Sequence, residues 1–222
     1  MRSLLVLALV LGPPSGGSGG SAAYREGEAG SAPIRVKTVA ATAQQLVSKA
    51  DRAFIGLVTD VQVKPERLKD VERAVPIKSV SFKVQQVLLD RTGGISPDRP
   101  YVVRLFAQGS RPVAKGERLL WYLAPNTEDG LTQPVGIDSG HFRFTADGQS
   151  VINLKLNENL LEPEAIRGEA EVLAREVPDS RREEFRAALQ KWAQAAAAER
   201  GLGNPVPVDL LIARTKQLAG QQ

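Results

Sequence analysis

The chain has no cysteine, a single histidine, a single methionine and only 5% aromatic residues. Without cysteine there is no disulfide, no thiolate metal site, no cysteine nucleophile and no lipid-modified cysteine behind an export signal. With His141 as the only histidine, a polyhistidine metal site or a Ser/His/Asp hydrolase would have to rest on that one residue, and its neighbours support neither. Gly109-Ser110 and Asp138-Ser-Gly140 lack the spacing of a Gly-x-Ser-x-Gly elbow and read as turns. A glycine-rich phosphate cradle, an EF-hand loop and an HExxH pair are also missing. Glu158 with Glu162, and Glu183 with Glu184, could pair as carboxylates but read as solvated helix faces. Beyond the first residues no run is long and apolar enough to span a bilayer. The sequence therefore predicts no catalytic residue, no metal, no cofactor, no specific nucleic-acid partner and no membrane span.

What is present is a chain of 222 residues with 42% hydrophobic content, enough for a real core. Arg2 followed by Leu4 to Leu11, Gly12-Pro13-Pro14 and the small residues Ser21 to Ala23 has the order of an export signal. Residues 1–23 are read as that signal and 24–41 as a flexible lead-in, since Ser15 to Ala32 is rich in Gly, Ser and Ala without periodicity. A cysteine-free exported domain needs a self-sufficient core, which suits a bacterial periplasm or exterior. The net charge of +4 is unevenly spread: Ile34 to Asn157 holds 18 basic and 12 acidic residues, while Glu158 to Gln222 holds 9 and 11.

The organising stretch is Ala50 to Val61, where a short helix runs into a strand apolar on both faces, with Gly56 marking a bulge or bend. Thr42-Ala-Gln-Gln45 fits a capping box for that helix, which is expected to reach about Asp51. Lys64 to Lys78, with alternating charges and two prolines, reads as an exposed, mobile hairpin loop. Val80, Phe82 and Val84 alternate inward in a second strand whose pattern shifts near Gln86, a second bulge. Tyr101 to Phe106 is the third strand and Glu117 to Ala124 the fourth, with Leu119, Trp121 and Leu123 facing the core. After a short segment around Pro134 to Ile137, a hairpin pairs His141 to Thr145 with Ser150 to Leu154 around Asp147-Gly148.

These elements predict a mainly β fold with added α: a five- to six-stranded antiparallel Greek-key, OB-like barrel over residues 42–157. Residues 158–222 form a helical C-terminal extension packing on it. Within that tail Glu162 to Val177 reads as helical. Ser180-Arg-Arg-Glu183 reads as a second capping box, opening a helix that carries Phe185, Leu189 and Trp192 to Arg200. Pro207 opens a last helix with Leu210, Leu211, Ala213 and Leu218 on its apolar side.

Four stretches carry a resemblance to a group of exported bacterial proteins: Ala50 to Val58, Val80 to Leu88, Lys115 to Leu123 and Val135 to Phe144. That group is similar in turn to the netrin-like modules typified by tissue inhibitors of metalloproteinases. The resemblance spans about Thr42 to Asn157, includes Asn153 to Leu160 as the strand exit, and implies an OB-type barrel. Those inhibitors chelate a protease zinc through an N-terminal cysteine, so the absence of cysteine excludes that route here.

The remaining candidate is a surface. Lys83, Arg104, Tyr122, His141 and Arg143 alternate out of phase with the core residues of their strands, and on neighbouring strands they would form one basic face with an aromatic. The leading reading is an exported, non-catalytic binding module for a protein or envelope polymer. The alternatives are a regulator or inhibitor of an exported protease, docking through the Lys64 to Lys78 loop or a barrel edge, and a binder of anionic envelope polymers through the basic face.

Overall fold

The structure, a computed structural model, describes residues 41–137, 139–153, 160, 161, 166, 168–198 and 205–221. The expected signal, the expected lead-in up to residue 40, most of the expected strand exit after Asn153 and the expected helix end at Arg200 lie outside the described residues.

Helix α1 (Ala43–Lys49) starts where expected: Gln45 N–H donates to the Thr42 hydroxyl, and the Gln45 side chain accepts from the Thr42 N–H. Two orphan donors are thereby satisfied reciprocally. Its Leu46 and Val47 are fully buried, and Ala50 ends it in extended backbone that leads straight into β1.

Strands β1 (Arg52–Glu66) and β2 (Val75–Asp90) are 15 and 16 residues long, so both ends of the expected loop Lys64 to Lys78, residues 64–66 and 75–78, are strand. Its charge alternation is that of an exposed two-stranded ribbon, with Pro65 opposite Pro76 and the connection confined to residues 67–74. The sheet continues with β3 (Tyr101–Phe106), β4 (Arg118–Leu123), β5 (His141–Phe144), β6 (Ser150–Asn153) and β7 (Val206–Pro207). All pairings are antiparallel, in the order β3-β2-β1-β4-β5-β6-β7. A fourth strand lying beside the first, after three in a meander, is a Greek key.

The barrel, however, is not closed. β3 and β7 remain the two edges of a seven-stranded sheet. The place beside β3 is taken by the loop after β4, whose Thr132 N–H donates to the Arg104 carbonyl at 2.8 Å, so the middle of that edge is covered without a strand. At the other edge the tail adds β7, which periodicity did not reveal because two residues carry no period.

Bulges shape the sheet. Gln85 and Leu88 are the extra residues on β2, and Thr59 is the extra residue on β1. Each adds twist and bends its strand. Gly56 lies beside the first of them, opposite Val84 and Leu119. A Cβ there would meet Phe82 Cδ1 at 3.0 Å and Phe54 Cε2 at 3.2 Å. The missing side chain lets Phe82 of β2 reach Trp121 of β4 across β1, ring centroids 4.9 Å apart.

Both sheet faces are buried. The inner face, which no helix among the described residues covers, holds Phe54, Val58, Val80, Phe82, Val84, Val103, Leu105, Leu119, Trp121 and Leu123. Five rings in edge contact cross it: Tyr101, Phe54, Phe82, Trp121 and His141. The other face packs Ala53, Ile55, Leu120, Tyr122 and Phe142 against α1 and the tail. The tail comprises α2 (Ala170–Arg175), a 3₁₀ turn (Asp179–Arg181), α3 (Arg182–Ala198) and α4 (Val208–Gly220). Ser180 belongs to the 3₁₀ turn rather than to an extended N-cap, which corrects the second capping box. Phe185, Leu189, Leu210, Leu211, Ala213 and Leu218 are buried as their periodicity predicts.

Candidate functional site

The five residues expected to form one basic face are divided by the fold. Strand partners share a face, so Lys83 opposite Leu57 and Arg104 opposite Ser79 stand on the side the helices cover elsewhere. Lys83 is exposed, and Arg104 pairs with Glu66 and donates to the Asp129 carbonyl. Tyr122 is on that face too but lies fully buried beneath α4, its hydroxyl 2.5 Å from Thr215 Oγ1, and burial pushes its pKa up. His141 and Arg143 face the opposite way, into the inner face, opposite Trp121 and Leu119. His141 is buried with its ring 5.4 Å from that of Trp121, correcting its reading as a surface residue. Arg143 donates to the Pro112 carbonyl at 2.8 Å and lies 3.5 Å from Glu117.

The reason is specific to β4 and β5. Alternation separates two faces but labels one as solvent only when one face is wet. Here Leu119, Trp121 and Leu123 are buried on one side and Leu120 and Tyr122 on the other.

Sequence reasoning missed two buried cations. Lys78, in the supposed loop, is 8% exposed; its ammonium donates to Ser110 Oγ at 2.6 Å and the Arg111 carbonyl at 2.9 Å, and burial lowers its pKa. Together with Arg143 it fastens the β3–β4 connection, whose Val113 packs onto the inner face. Arg52, inside the opening stretch, is 6% exposed at the other end of that face. Its only sequence signal was a charge in an otherwise apolar run.

The concave site lies elsewhere, on the tail. Between α3, the start of β6, β7 and the first turn of α4 is a cleft of about 320 Å³. Phe185, Leu189, Trp192, Pro207 and Leu210 supply apolar wall, and Arg181, Glu184, Lys191 and Asp209 supply charges of both signs. Arg181 bridges to Asp209 at 2.6 Å, tying the 3₁₀ turn to the start of α4. Asp209 there also suits the positive end of the helix dipole. Trp192 is half-buried, its ring packed on the helix-side core. The 3.6-residue stripe of Phe185, Leu189 and Trp192 was legible, but the cleft was not, because β7 and the β6 start that complete it come from two distant segments.

An apolar wall with a few charges at its margin is the composition of a small-ligand or peptide pocket, near the lower end of the usual size. Comparison with protein-family models and with curated proteins finds no match to this chain.

Proposed function

We propose that the protein is an exported, non-catalytic binding module that holds its ligand in the cleft walled by Trp192. The observation that carries this reading is the cleft itself, an apolar floor rimmed by Arg181, Glu184, Lys191 and Asp209. Its rim suits a ligand with an apolar or aromatic body and charged groups at its margin. The order of Arg2, Leu4 to Leu11 and Ser21 to Ala23 supports export. A mass for the exported chain that still includes Met1 would overturn that part. In this reading the sheet is an opened relative of the OB-type barrels to which its strand motifs are similar.

The two tryptophans make the reading testable, since Trp121 is fully buried and Trp192 lines the cleft. A Trp121→Phe variant leaves Trp192 as the sole reporter. An aromatic anion such as anilinonaphthalene sulfonate is expected to quench it saturably, and Lys191→Glu to weaken that binding. Quenching that never saturates, or an unchanged midpoint after Leu189→Arg, sinks the proposal. A hydrolytic activity abolished by one polar substitution would remove its non-catalytic part.

A further inference from the structure

Arg52 is 94% buried by its 6% exposure, yet it makes no ion pair among the described residues. Its Nη1 donates to the Tyr101 hydroxyl at 2.7 Å, and its Nη2 donates to the Ala124 carbonyl at 3.2 Å and to Asn126 Oδ1 at 2.5 Å. Its Nε, buried as well, has no hydrogen-bond partner among the described residues. Asp90, the cross-strand partner of Arg52, does not relieve this. That carboxylate accepts from the Thr92 N–H and hydroxyl through one oxygen and from the Ile95 N–H through the other. Burial would raise its pKa, but these hydrogen bonds outweigh burial and lower it, so it stays charged and turned into its own turn.

A buried guanidinium without a hydrogen-bonded anion is costly, and an orphaned N–H adds to the cost. The geometry says what is missing. Nε–H and one Nη2–H of a guanidinium point the same way and form the side-on fork that takes both oxygens of a carboxylate. In this structure that edge meets one neutral amide oxygen, from Asn126, which serves Nη2 and leaves Nε unserved. An amide has the outline of a carboxylate but presents one acceptor in place of two. Asn126 is exposed, belongs to no helix or strand, and its amide nitrogen makes no hydrogen bond among the described residues. Asn126 on the exposed side and the half-buried Tyr101 flank the fork.

We propose that Arg52 is a carboxylate-binding site, in which Asn126 Oδ1 holds the place of one ligand oxygen and Nε is the donor kept for the other. Tyr101 acts as the positioning residue, fixing the guanidinium plane through Nη1. The site is at the end of the inner face, uses no residue of the tail cleft, and stands or falls separately from it. The carboxylate can be a free small acid or the C-terminus of a polypeptide, since both present the same two oxygens.

The test follows the Arg52 Nε–H resonance in nitrogen-15 spectra of the full chain while acetate is added, with chloride at equal ionic strength as control. A saturable acetate shift absent with chloride is expected. Asn126→Ala, which removes the placeholder, should lower the acetate midpoint several-fold. Asn126→Asp, which supplies a carboxylate from within, should move the resonance to its bound position and abolish the response. A peptide with a free C-terminus that shifts the resonance at lower concentration than its amidated form and than acetate identifies a polypeptide end; equal midpoints for acetate and the free peptide identify a small acid. Equal shifts with chloride and acetate, or an acetate response unchanged in Asn126→Asp, overturn the proposal. Neither decisive variant alters Arg52, and far-ultraviolet circular-dichroism spectra that match wild type establish that both are folded.

Discussion

The two faces of the sheet are buried by different means. The inner face is filled by the strands themselves, with a row of rings that crosses from Tyr101 on β3 to His141 on β5 and closes over Gly56. Edge-to-face pairs at such spacing add about 0.5–1.5 kcal/mol each beyond the area they bury. The helix-side face is filled by aliphatic side chains and alanines brought from the chain's two ends, α1 and the tail. It carries a buried polar bond between Tyr122 and Thr215, with Thr215 also donating to the Leu211 carbonyl at 2.7 Å. A face built from its own strands can be read from alternation; a face built by docking distant helices needs the third dimension.

The sharpest way to break this comparison is to truncate one side and watch the other. Phe82→Ala removes the ring that joins β2 to β4, and about 3–5 kcal/mol of stability should go with it in urea melts. Leu211→Ala, on α4, should cost about 2–5 kcal/mol. In a Trp192→Phe background, Trp121 fluorescence reports the inner face alone. If Leu211→Ala lowers the helical circular-dichroism midpoint but leaves that of Trp121 in place, the faces are separate folding units and the shared-sheet account fails. Coincident midpoints are expected, since Leu119 to Leu123 contributes to both faces.

A smaller effect is expected at the polar tie. Tyr122→Phe should cost about 1 kcal/mol, and a double-mutant cycle with Thr215→Val should show coupling of about 0.5–1.5 kcal/mol. A coupling of zero would mean α4 is held by apolar contact only.

The smallest effect concerns the rim of the inner face at Asp90. Its folded pKa lies below the usual carboxylate value because hydrogen bonds from Ile95 and Thr92 outweigh burial. Stability from the ionised form is therefore complete above the unfolded value of about 3.9 and is lost as pH falls through the lower folded one. Wild type should exceed Asp90→Asn by a constant margin above about pH 5, and the margin should shrink below about pH 4. A margin that grows on acidification would reverse the assignment.

Particular residues show where sequence reading stops. The capping box at Thr42 and Gln45, the irregularity at Gly56, strand β3 and the apolar side of α4 were all legible, because each is encoded within a few adjacent residues. Lys64 to Lys78 misled because an exposed ribbon and a loop have the same polar composition. The five-residue basic face divides because Lys83, Arg104 and Tyr122 stand on the helix side of the sheet and His141 and Arg143 on the inner side, and both sides of β4 are buried. Of the residues now singled out, Trp192 was visible as part of a stripe, whereas Arg52 looked like an ordinary strand-opening charge.

Read without coordinates, the chain already fixes the absence of thiol chemistry, the mainly β class, the succession of short strands and the helical tail. Those properties follow from residue inventory and from periods of 2 and 3.6, which act over one element at a time. Only the tertiary structure decided that the sheet stays open, that β7 joins it, that Tyr122 and His141 are interior, and that Trp192 walls a cleft while Arg52 sits with an unfilled fork. Each of these depends on which distant segment reaches a given surface first, and that competition between packing partners leaves no local period to read.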